Sequence, residues 1–96
     1  MTVYEDLLRD YRTTFLRYLP RREESAMHAG YELGRAALGA GRSLLDLVRV
    51  HHDVLIDVLR DSPPEEASLL ARAASDFLTE VLASYAMAQP ETPLHT

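Results

Sequence analysis

The amino-acid sequence, whose third helix separately leads us to expect a dimer, predicts an all-α fold, a compact antiparallel four-helix bundle. Three observations predict it. Apolar residues recur three and four apart through four segments, the period of helices with a buried face. No segment shows the sustained alternation of a half-buried strand. Proline and glycine divide the segments, and the connections are short, so consecutive helices must reverse direction.

The first helix opens at TVYE, where Thr2 as N-cap and Glu5 three positions on form a capping box. Its stripe runs Tyr4, Leu7, Leu8, Tyr11, Phe15, Tyr18 and Leu19. Pro20 ends or kinks it, because proline lacks an N–H and clashes with the preceding turn. The second helix runs from about Arg22 to Leu38, and Gly39 and Gly41 supply the stop. Ser43 caps the third, with Asp46 three residues on. The stretch DSPPEE then stops it and starts the fourth: Ser62 as N-cap, Pro63 at the first helical position, Glu65 closing a capping box. The fourth runs to about Gln89, with Leu70, Ala74, Phe77, Val81 and Tyr85 on one stripe. Residues 1–89 thus form the domain. Residues 90–96, with Pro90 and Pro93, read as a disordered tail or linker.

Composition narrows the function. A chain of 96 residues forms one domain, and 47% hydrophobic with 26% charged residues is a globular balance. The net charge of -5, dispersed along the chain, argues against nucleic acid and against an anionic membrane. All ten basic residues are Arg, which reads as the coding bias of a GC-rich genome. There is no Cys, hence no thiolate or disulfide chemistry. Neither a leader peptide nor an apolar run long enough to span a bilayer is visible, so the expected location is the cytoplasm.

The third helix carries the most information. On a wheel of about 100° per residue, Asp46, Arg49, Asp53, Asp57 and Arg60 fall in one narrow arc. The remainder is apolar except for His51 and His52. So wide an arc belongs to a helix covered from two sides, which assigns Leu44, Val48, His51, Leu55 and Val58 to core or dimer interface. His51 is expected to be packed and hydrogen-bonded, with His52 at the boundary. In the second helix, Ala26, Gly30, Gly34 and Leu38 fall four apart. Each interior glycine costs about 1 kcal/mol relative to alanine, so the pair predicts another helix backbone approaching closely there.

Catalytic chemistry finds little support. Bundle metal sites use several inward carboxylates and histidines. Here there is no Glu-x-x-His motif; Glu24 and His28 are four apart with no second such pair in the four helices, and adjacent histidines diverge by about 100°. No metal or cofactor is expected. The six serines, Ser25 through Ser84, sit in no nucleophile elbow. The run GAGR lacks the spacing and Lys of a phosphate loop. The tyrosines read as rings buried with wet hydroxyls. These features describe a binding module rather than an enzyme. The alternative is a histidine phosphotransfer or dimerisation bundle acting on a receiver domain. It requires a histidine exposed on a free helix face.

The run YELGRAALGAGRSLLDLVRVHHDVL, followed by DFLTEVLASYAMA, resembles the amino-terminal domain of RsbU-type phosphatases. The likeness covers Tyr4 to Ala88. Its sharpest parts are LLDLVRVHH at 44–52, ELGR at 32–35 and FLTEVL at 77–82. The resemblance implies a dimeric, non-catalytic helical domain. Such a domain receives an RsbT-like switch kinase in a partner-switching stress or sigma-factor pathway. It passes that event to an attached PP2C-type phosphatase. Glu24, His28, Tyr31, Thr79 and Ala83, on the second and fourth helices, are the expected kinase-binding residues. In such phosphatases the last helix tends to run on toward the output domain, whereas Pro90 and Pro93 interrupt it here. That departure implies either an excised domain or a stand-alone relative acting as a sequestering adaptor.

Overall fold

Helix boundaries follow the need of terminal N–H and C=O groups for partners. The computed structural model describes residues 3–20 and 22–89. In it α1 spans Val3–Tyr18, α2 Glu24–Gly39, α3 Leu44–Arg60 and α4 Ala67–Ala88, with a 3-10 turn at Pro64–Glu66 leading into α4. Among the described residues there is no strand. Thr2 and the 90–96 segment lie outside them.

At α3 the capping box is complete. The Ser43 hydroxyl accepts from the Asp46 N–H at 3.2 Å, and the Asp46 carboxylate accepts from the Ser43 N–H at 3.2 Å. The end of α2 is a Schellman turn. Arg42 N–H donates to Ala37 O at 2.9 Å and Gly41 N–H to Leu38 O at 3.0 Å. Gly41, at φ 78°, occupies the left-handed position. The stop is therefore Gly41 alone, and Gly39 is the last helical residue.

The predicted box at Ser62 does not form. Pro63 is extended (φ -62°, ψ 143°) and makes no side-chain cap. A residue before proline is driven out of the helical region, and Pro63 precedes Pro64. The first turn therefore starts late, out of register with Ser62 and Glu65. The Ser62 hydroxyl donates backward to Val58 O at 2.7 Å instead. Between α1 and α2 a similar shift occurs. Arg22 takes a left-handed φ of 53°, and its N–H closes the turn on Tyr18 O at 2.7 Å. Helix α2 consequently begins at Glu24, not Arg22.

Phe77 on α4 is the centre of the core. Tyr11, Phe15 and Tyr18 of α1 pack round its ring at centroid distances of 5.3, 5.4 and 5.4 Å. Leu47, Val50 and Val54 of α3 and Val81 of α4 are wholly buried beside it. The predicted glycine face meets α4. A Cβ built on Gly30 would stand 2.8 Å from Phe77 Cε1, and one on Gly34 would overlap Ser84 Oγ and Val81 O. The contacts advance together along both chains, 30 with 77 and 34 with 81–84, so α2 and α4 run parallel. Consecutive helices do reverse direction, yet the closest seam joins a parallel pair. Helix α2 lies against α1 and α4, and α3 against those same two.

Candidate functional site

Two surfaces carry the predicted residues. The first lies on α2 and α4. Glu24, His28 and Tyr31 stand one turn apart along α2, because four residues advance a helix by about 6 Å on one face. With Met27 and with Glu80 of α4 they line a surface hollow of about 410 Å³. The His28 and Tyr31 rings stack at 5.9 Å with 8° between their planes. His28 Nε2 lies 3.4 Å from a Glu32 carboxylate oxygen, a pair charged only when the imidazole is protonated. Thr79 and Ala83 are exposed on α4 beside Glu80, but neither lines the hollow. The Thr79 hydroxyl is engaged with Ser75 O at 2.8 Å. Met27 and Glu80 are the members that sequence reasoning missed. Met27 falls on the same α2 face at the 24, 27, 28, 31 spacing, a local signal that could have found it, whereas only the register of α2 on α4 brings in Glu80.

The hollow's chemistry is acidic and aromatic. Among the described residues neither Glu24 nor Glu80 has an ion-pair partner. Two unpaired carboxylates beside a thioether and a phenol ring suit a cationic side chain with an apolar stem. No nucleophile with an adjacent base stands here. Among the described residues no three potential ligands come together to hold a metal ion.

The second surface is α3, whose wide apolar arc splits in two. His51 and Val58 face the monomer core and are buried, 6% and 9% exposed. Leu55 packs half-buried against that core. Leu44 is 40% exposed and Val48 half-buried. Residues not singled out in the sequence, Leu45 at 73% and Ile56 at 52% exposure, project outward. His52 is exposed between them.

His51 pairs with Tyr11, which is wholly buried. The phenol oxygen and His51 Nδ1 are 2.9 Å apart. On a neutral ring the phenol O–H donates and Nδ1 accepts, which leaves no buried hydrogen unsatisfied. Burial, and then the neighbouring His52, push the His51 pKa below its ordinary value. Burial pushes the Tyr11 hydroxyl up. The wet-hydroxyl expectation therefore fails at Tyr11, whose oxygen is sealed inside the bundle. Tyr4, at the margin, behaves as expected and donates to Asp53 at 2.9 Å. His52, by contrast, meets the exposure that a relay histidine requires.

Among the described residues no helix is long and apolar enough to cross a membrane. No curated protein and no solved structure matches the chain. A family model does match, over residues 9–88: that of the N-terminal domain of phosphoserine phosphatase RsbU. The all-helical bundle and that match agree, and the chain belongs to the family of RsbU N-terminal regulatory domains.

Proposed function

We propose that this chain is a non-catalytic, homodimeric docking domain for a switch-protein serine kinase of the RsbT type. It works in the cytoplasm, in a partner-switching pathway that controls a stress response or a sigma factor. The observation that carries the reading is the hollow on the α2–α4 seam, where Glu24 and Glu80 have no ion-pair partner among the described residues, in a chain of this family. Exposed Thr79 and Ala83 extend the hollow into a face that a globular partner can cover.

The test uses the switch kinases encoded beside the gene, with binding followed by calorimetry. Thr79→Arg and Ala83→Arg should each weaken the complex at least tenfold while leaving the circular dichroism spectrum unchanged. Binding that ignores both changes would rule out this surface. One observation favours a second reading, histidine phosphotransfer: the exposure of His52. That reading requires His52→Gln to abolish acid-labile phosphate uptake from a phosphorylated receiver domain.

A further inference from the structure

We propose that two copies of this chain pair antiparallel along α3, with the two-fold axis passing through His52. The inference rests on the homodimer proposed above and names the surface that forms it. Its basis is the symmetry of the outward stripe. Leu45, Val48, His52, Ile56 and Leu59 follow at intervals of three, four, four and three residues. At about 100° per residue they occupy an arc of about 80°. The pattern reads the same from either end, with His52 in the middle.

An isologous interface must be complementary to itself. A two-fold axis perpendicular to α3 maps the helix onto an antiparallel copy. The mapping sets Leu45 against the second copy's Leu59, Val48 against its Ile56, and His52 against its His52. Large apolar groups therefore meet large apolar groups at every level except the axis. There two imidazoles face each other, each able to donate one hydrogen bond and accept one.

The flanks decide the direction. One flank of the stripe carries Arg49, Asp53 and Arg60, and the other carries Leu44 and Leu55. Antiparallel helices bring like flanks together, whereas parallel helices bring unlike flanks together. Antiparallel pairing puts Arg49 of one copy within about two residues of Asp53 of the other, roughly 3 Å along the axis. Each guanidinium then also screens the two Asp53 carboxylates from one another. Among the described residues Arg49 has no ion-pair partner, so it is available. Parallel pairing would press Arg49 and Asp53 against Leu44 and Leu55, which desolvates charge without a partner.

The chain holds no cysteine, so single-cysteine cross-linking of the full chain has no background. On the axis a residue meets its own copy, and His52→Cys should form a disulfide with itself. Leu45→Cys and Leu59→Cys should each stay unlinked alone, because the two copies of either lie roughly 21 Å apart along the axis. Mixed together, those two variants should link at least tenfold faster than either does alone. Circular dichroism checks that each variant is folded, and sedimentation equilibrium reports its assembly state. Self-linking of Leu45→Cys as fast as His52→Cys would overturn the antiparallel arrangement. A dimer in which none of these positions links would place the seam on another face. In that case the homodimer stands and this inference falls. A chain that stays monomeric at high concentration would refute both together. A stripe blocked instead by the added kinase, without any self-linking, would give the face to that partner.

Discussion

Gly34→Ala tests the tightest contact in the molecule. The added methyl would overlap the Ser84 hydroxyl and the Val81 carbonyl oxygen, with Tyr85 N at 3.2 Å. The serine can change rotamer, but the carbonyl belongs to the α4 backbone, so the helices must part. Overpacking of this kind costs about 1–3 kcal/mol, and a backbone obstacle puts it at the upper end. Alanine recovers about 1 kcal/mol of helix propensity, leaving a net loss of about 2 kcal/mol. With a urea dependence of about 1 kcal/mol per M, the unfolding midpoint should fall by roughly 2 M. Gly39→Ala is the control. Nothing lies within 4 Å of its added Cβ, so this variant should gain about 0.5–1 kcal/mol. Adding Ser84→Gly should not rescue Gly34→Ala, because the Val81 oxygen remains. A Gly34→Ala midpoint equal to the parent's would refute the close seam.

Acid should weaken the fold through His51. Its folded pKa is lowered by burial, so its contribution is fully present above the ordinary value of about 6.5 and is lost as pH falls through the folded value. Urea midpoints at neutral and mildly acidic pH should differ in the parent and converge in His51→Gln, while His52→Gln should keep most of the difference. An NMR titration placing the His51 pKa at or above the ordinary value would contradict this. Val48→Glu and Leu55→Arg should separate the two sides of α3. The first puts a charge on the outward stripe and should yield a folded monomer by light scattering. The second pushes a cation toward the core and should lower stability by several kcal/mol, visible as a depressed melting temperature. A folded dimer carrying Val48→Glu would disprove the outward assignment.

Local chemistry was legible in the sequence, and register was not. The Ser43 cap, the α1 stripe and the glycine face of α2 each depend on residues within a few turns, and all three stand in the structure. The Ser62 box failed because two consecutive prolines moved the first turn to a 3-10 turn at Pro64–Glu66 and the start of the α-helix to Ala67. The apolar arc of α3 shows the harder limit. Val50 and Val54 point inward while Leu45 and Ile56 point outward, yet hydrophobicity alone does not distinguish them. What separates them is the position of α1 and α4, fixed by contacts some forty residues away such as Tyr11–His51. Glu24, His28 and Tyr31 were legible as one helix face. Met27 sits on that same face at helical spacing, but Glu80 needed the offset of α2 against α4.

The parallel α2–α4 seam also bears on how the chain reaches its fold. Each half of the molecule is a helical hairpin with a short connection, fast to close because its contacts are local. Either hairpin alone leaves the Gly30–Gly34 face bare and Phe77 without its aromatic surround. The short connections permit two circular orders of the helices, with α2 beside α3 or beside α4. Only the second gives a backbone without side chains a partner shaped to touch it. Two glycines, unfavourable for the helix that holds them, thus act as a topological selector. A bulkier residue at position 34 would remove the close fit that favours this order over the other.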